Sequence, residues 1–175
     1  MHPIIDVLWF MMPAYIANSV AVDVSGIPFL KKYSTPMDFG RSLQGKRIFG
    51  DGKTWRGFLS GVVAGLLFGA LQQGLMVKYS WNLPGMGITL AFLLSLGTMV
   101  GDLAASFIKR RMGFERGKSL PLLDQLDFVF GAFYLAWLVI PVNLSFFIAS
   151  LTITIPLHYF GNFVAWLIKL KKFPW

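Results

Sequence analysis

The sequence predicts an all-α integral membrane protein of about five transmembrane helices, with the N-terminus outside, the C-terminus cytoplasmic and two basic cytoplasmic loops. Three observations predict it. Hydrophobic residues make up 55% of the chain and charged residues 14%, a balance foreign to soluble domains of this length. The apolar residues fall into runs of about 20, the length that crosses a hydrocarbon core. Lysine and arginine crowd into alternate connections between those runs. The whole of 1–175 reads as a single membrane-embedded domain without internal repeats.

The first run, 3–23, contains Asp6 and Asn18 but is otherwise apolar. No basic region precedes it, and Lys31 and Lys32 follow it, the reverse of a secretory signal peptide, so it counts as a membrane helix. The connection 24–56 gathers Lys31, Lys32, Arg41, Lys46, Arg47, Lys53 and Arg56. The second run, 55–77, carries Gly57, Gly61, Gly65 and Gly69 at four-residue spacing, which lets helices approach closely in a bilayer. The third, 86–108, buries Asp102 and ends at Lys109, Arg110 and Arg111, with Arg116 and Lys118 beyond. The fourth, 121–140, is expected to start with Ser119 as N-cap and Pro121 in its first turn, and it holds Asp124 and Asp127. The fifth, 143–168, precedes Lys169, Lys171 and Lys172. The connections 78–85 and 141–142 contain only Lys78, which sets the orientation.

The net charge of +8 therefore sits in topological loops, and nucleic acid is not an expected partner. The absence of cysteine excludes disulfides and thiolate-bound metals.

Three carboxylates inside apolar runs need a reason. Asp102, Ser106 and Lys109 share one helix face at i, i+4, i+7, and Asp124 and Asp127 share another at i, i+3. Asp102 lies seven residues before the basic helix end, roughly 10 Å below the rim, and Asp124 reaches a similar depth. Burying a carboxylate there costs several kcal/mol without a partner. Adjacent arginines offer structural ion pairs. A hard divalent cation fits better: Asp102, Asp124 and Asp127 are expected to hold Mg2+, since the set lacks histidine and cysteine.

GDGKT at 50–54 and RGKS at 116–119 end like Walker loops, but Arg47 and Met112 stand where the earlier glycine is needed. Glycine density still suits anions. In GKRIFGDGKTWRG, 45–57, the residues Lys46, Arg47, Gly50, Asp51, Gly52, Lys53, Thr54 and Arg56 are expected to bind nucleotide phosphates.

The run SFIKR…PLLDQLD, 106–127, resembles the signature of the CTP-dependent phosphatidate cytidylyltransferase family. Ser106, Lys109 and Arg110 match its start, and Asp124 and Asp127 its closing aspartates. Gln125 replaces the arginine between them, and the small size and the 45–57 loop look like the archaeal branch, the CDP-archaeol synthases. The resemblance implies transfer of a cytidylyl group from CTP to an isoprenoid ether-lipid phosphate, 2,3-bis-O-geranylgeranyl-sn-glycerol 1-phosphate, giving CDP-archaeol and pyrophosphate. Asp102, Asp124, Asp127 and Lys109 would be catalytic, with Ser106, Arg110 and Lys118 joining the phosphate contacts. The partners would be CTP, the lipid phosphate and the bilayer of the cell membrane, with room for a homo-oligomer. Two other readings compete: a CTP-dependent polyprenol or dolichol kinase, and a small transporter built on Asp102 and His158.

Overall fold

The computed structural model describes residues 3–27, 32–115, 118, 120, 122–141 and 143–167. The described elements are, in order, α1 (Pro3–Gly26), β1 (Ser42–Leu43), β2 (Lys46–Arg47), α2 (Trp55–Tyr79), α3 (Ile88–Arg111), α4 (Leu123–Ala136) and α5 (Leu144–Leu167). Ser119 and Pro121, the expected start of the fourth helix, lie outside the described residues, as do Lys31, Arg116 and the basic tail.

Four helices, α1, α2, α3 and α5, are long and apolar enough to cross a membrane. α4 is shorter than the run expected over 121–140. Its 14 residues rise about 21 Å, short of a hydrocarbon core of about 30 Å. Its end tightens into a turn in which Leu138 and Val139 donate to the carbonyls of Leu135 and Ala136. Pro141 then offers no N–H to carry the helix on.

α1 is the central post, packed against all four other helices. Phe10, Met11 and Ala14 of α1 share one buried cluster with Leu94 of α3 and with Phe128, Val129 and Ala132 of α4. The glycine ladder of α2 does what its spacing implies. A Cβ at Gly61 would sit 2.7 Å from the Ala17 carbonyl, and one at Gly65 2.2 Å from Ser95 Oγ. Gly57 plays a different part, because its N–H donates to Thr54 Oγ1 at 3.2 Å and so caps α2.

Close contacts fix the helix directions. Gly61, Gly65 and Gly69 meet Met99, Ser95 and Ala91 in reverse order, so α2 and α3 are antiparallel. Gly97 meets Gly131, and Gly101 meets Asp127, so α4 reverses again. α5 runs parallel to α1: Phe10 touches Phe146, and Tyr15 OH lies 2.8 Å from Thr154 Oγ1. Both basic loops therefore emerge at the same end of the bundle.

Candidate functional site

The loop between α1 and α2 is built around Asp38, a residue that no motif in the sequence singles out. Its side chain is fully buried. It accepts the N–H groups of Gly40, Phe49 and Gly50 at 3.0, 3.0 and 2.9 Å, and Arg47 Nη2 at 2.6 Å. Burial pushes this carboxyl up, but the guanidinium and the three backbone donors outweigh it and hold it well below the usual carboxylate range. The two strands pair Ser42 with Arg47 and Leu43 with Lys46. Their turn places Gln44 and Gly45 at φ 50° and 73°, the left-handed pair that two-residue hairpins require.

The same network occupies three residues expected to bind phosphate, Arg47, Gly50 and Asp51, and a fourth, Thr54, is taken up by the cap of α2. Arg47 is committed to Asp38 and, at 2.6 Å, to Asp51. Thr54 is buried as the N-cap of α2. Ser106 is likewise buried and lines none of the cavities around the cluster, so the anticipated stripe of Asp102, Ser106 and Lys109 is divided among different surroundings. Arg56 lies half-buried in the first turn of α2, and Lys118 is exposed in the second loop with its N–H on the Glu115 carbonyl.

Lys53 is aimed across the bundle. Its backbone carbonyl accepts Met37 N–H at 2.8 Å, and its Nζ lies 2.6 Å from both oxygens of Asp102. Lys109 Nζ meets Asp124 Oδ1 at 2.6 Å, while Asp124 Oδ2 accepts Leu120 N–H at 3.0 Å. Leu122, at φ 68°, bends the chain into α4 just before these aspartates. Asp127 accepts its neighbour's N–H from Phe128 and makes no ion pair among the described residues. It lies within electrostatic reach of Asp102, Lys53 and Asp124.

The expected ion-pair partners were arginines. The observed ones are lysines, one from each basic loop region. Among the described residues, no three of histidine, cysteine, aspartate and glutamate come together as a ready metal cage. The donors themselves, carboxylate oxygens beside exchangeable ammonium groups, are of the type a hard cation takes.

Close approach of α3 and α4 brings Asp102 and Asp127 together. A Cβ at Gly101 would stand 2.3 Å from the Asp127 carbonyl, and one at Gly131 2.1 Å from the Gly97 carbonyl. The signal was present as Gly97-x-x-x-Gly101, a small-residue spacing that permits backbone contact.

Three cavities surround this cluster. One of about 210 Å³ lies among α1, α2 and α3, with Asn18, Gly52, Lys53 and Asp102 in its wall. A second, of about 330 Å³, lies between the two basic loops and is lined by Lys46, Gly50, Asp51, Arg110, Phe114 and Glu115 among others. The third is an apolar groove of about 830 Å³ along α3, α4 and the start of α5, and Asp127 is the one charged residue in its lining among the described residues.

A family model described as CarS-like, CDP-archaeol synthase, matches residues 1–175. The chain is 46% identical to a CDP-archaeol synthase of Methanoregula boonei over 94% of this chain and 100% of that protein. A CDP-archaeol synthase of Pyrococcus horikoshii is 42% identical, with 100% and 99% covered. A solved structure of an intramembrane enzyme for archaeal membrane lipids biosynthesis superposes with a TM-score of 0.77 at 35% identity, over 91% of this chain and 94% of that one.

Proposed function

The chain belongs to the CDP-archaeol synthase family, and on that footing we propose where each substrate sits and which residues hold it. The enzyme is a CTP-dependent cytidylyltransferase that activates an archaeal lipid phosphate to CDP-archaeol. The acceptor is 2,3-bis-O-geranylgeranyl-sn-glycerol 1-phosphate. One observation above the others carries the assignment: Lys53 of the glycine-rich loop grips both oxygens of Asp102, and the neighbouring Asp127 stands in the wall of an apolar groove.

An oxygen of the acceptor phosphate attacks the α-phosphorus of CTP. The new P–O bond forms as the bond from the α-phosphorus to the bridging oxygen breaks, and pyrophosphate leaves. The monoester is largely dianionic at neutral pH, so no protein base is needed. What the site must do is bring two polyanions together and align them. Lys46 and Arg110, in the wall of the 330 Å³ cavity, bind the triphosphate, while Gly50 in the same wall spends its N–H on Asp38 and adds no side chain to the space. The two isoprenoid chains lie in the 830 Å³ groove, whose aromatic and small residues suit branched hydrocarbon, with the headgroup towards Asp127 in its wall.

Asp102, Asp124 and Asp127 would hold Mg2+. Bound there, the ion supplies charge neutralisation for the phosphates. Lys53 and Lys109 neutralise two of these carboxylates and turn to the phosphates when the carboxylates hold the ion. This face is cytoplasmic because both basic loops emerge there.

Purified protein incubated with α-labelled CTP, magnesium and a panel of lipid phosphates and lipid alcohols tests the reading. Label carried into the lipid with release of pyrophosphate supports it. Phosphorylation of an alcohol with release of CDP would make the protein a kinase instead.

A further inference from the structure

The second basic residue after Lys109 lines none of the three cavities described, yet it holds one together. Arg111 Nη1 donates to the Leu43 carbonyl at 2.6 Å, and Nη2 to the carbonyls of Lys46 and Arg47 at 3.0 and 2.6 Å. Lys46 Nζ returns the contact, donating to the Arg111 carbonyl at 3.2 Å. The guanidinium also lies 5.3 Å from the centre of the Phe107 ring, which fixes the plane of the fork. These contacts span more than sixty residues of sequence and join the hairpin of the first basic loop to the last turn of α3.

The 330 Å³ cavity lies on either side of this joint. Lys46, Arg47, Gly50 and Asp51 come from the hairpin side, and Arg110, Gly113, Phe114 and Glu115 from the α3 side. Nothing else among the described hydrogen bonds and ion pairs ties the hairpin strands to the second loop. We infer that Arg111 is a positioning residue, a clasp that holds the two walls of the nucleotide cavity at their working separation without touching the nucleotide. The inference rests on the reading that this cavity takes CTP. A planar fork spanning three carbonyls calls for arginine, because a lysine ammonium carries the same charge on a single point.

Arg111→Lys is the decisive variant, measured beside Arg110→Ala. Loss of the fork should raise the KM for CTP about ten- to a hundredfold. The kcat at saturating CTP and the KM for lipid phosphate should stay within about twofold, because the chemistry and the acceptor groove are intact. Hydrogen exchange should accelerate in the hairpin amides while the helices remain protected. Unchanged CTP KM in Arg111→Lys, with a raised one in Arg110→Ala, overturns the clasp and spares the nucleotide assignment. Unchanged CTP KM in Arg110→Ala overturns the nucleotide assignment itself. A fall in melting temperature with exchange raised throughout the helices would make Arg111 a general fold determinant and also overturn the inference.

Discussion

At Asp102, Asp124 and Asp127 the ion-pair and metal readings diverge under substitution by asparagine. The lysines facing Asp102 and Asp124 are partly exposed, 29% and 15%, so removing either carboxylate leaves an ammonium that water can still reach. The stability cost should be about 1 kcal/mol or less, far from the 3–5 kcal/mol of a stranded buried charge. Asp127→Asn removes a carboxylate with no ion-pair partner among the described residues and should leave the melting temperature unchanged or raised. Each variant should lose turnover by about a hundredfold or more, with partial recovery of the mildest at raised magnesium. Near-normal turnover, or readily unfolded variants, would remove these residues from the catalytic role. Asp38 makes the opposite forecast. Its folded pKa lies below the ordinary value near 4, so its contribution is fully present above that value and fades only as pH falls through the lower folded one. Protection of the Phe49 and Gly50 amides against hydrogen exchange should therefore hold from pH 7 down to about 4. Asp38→Asn should lower protection across that whole window and weaken the loop by about 1–3 kcal/mol.

The elements explain why the carboxylates meet the cations where they do. From the contact of Gly101 with Asp127, α3 continues to Arg111 while α4 reaches back only to Leu123, which leaves the start of α4 about 9 Å short of the α3 end. The short helix thus opens a recess under the basic loops. At its other end α4 stops at Ala136, and that was not legible: the apolar run continues unbroken to Ile140, and composition cannot show where hydrogen bonding changes register. The hairpin was equally hidden, because strands of two residues fall below any alternation pattern and the charge of 45–57 suggested only anion binding. The glycine ladder of α2 was legible because its period matches the helix. Gly131, alone in α4, carried no such period. Its substitution tests the α3–α4 contact. Gly131→Ala or Gly101→Ala should drive the backbones apart, cost about 1–3 kcal/mol and sharply reduce turnover by moving Asp127 from Asp102. Gly74→Ala, with open space around the added methyl, should be neutral or stabilising by up to about 1 kcal/mol in the same thermal melts.

For the molecule as a whole, charge and direction agree. Alternating helix directions put residues 32–54 and 112–115 at one end and 80–87 and 137–141 at the other, and the described lysines and arginines of these connections divide the same way. This much of the fold was readable, since hydropathy runs and loop charge follow directly from the bilayer as solvent. α4 is the element on which the topology turns. A helix of 14 residues crosses only with help from its flanking turns or from local thinning of the bilayer. Yet α5 runs parallel to α1, which requires the chain to have reached the far end by Leu144. The chain contains no cysteine, so single cysteines report position without background. Arg41→Cys and Met112→Cys should react with an impermeant maleimide from the cytoplasmic face of inverted vesicles. Lys78→Cys and Asn143→Cys should react only from the opposite face. Labelling of Asn143→Cys together with Arg41→Cys would mean that α4 enters and leaves by the same side. The carboxylates of α4 could then still meet Asp102, but α5 would have to enter from the cytoplasm, against the direction that its pairing with α1 imposes.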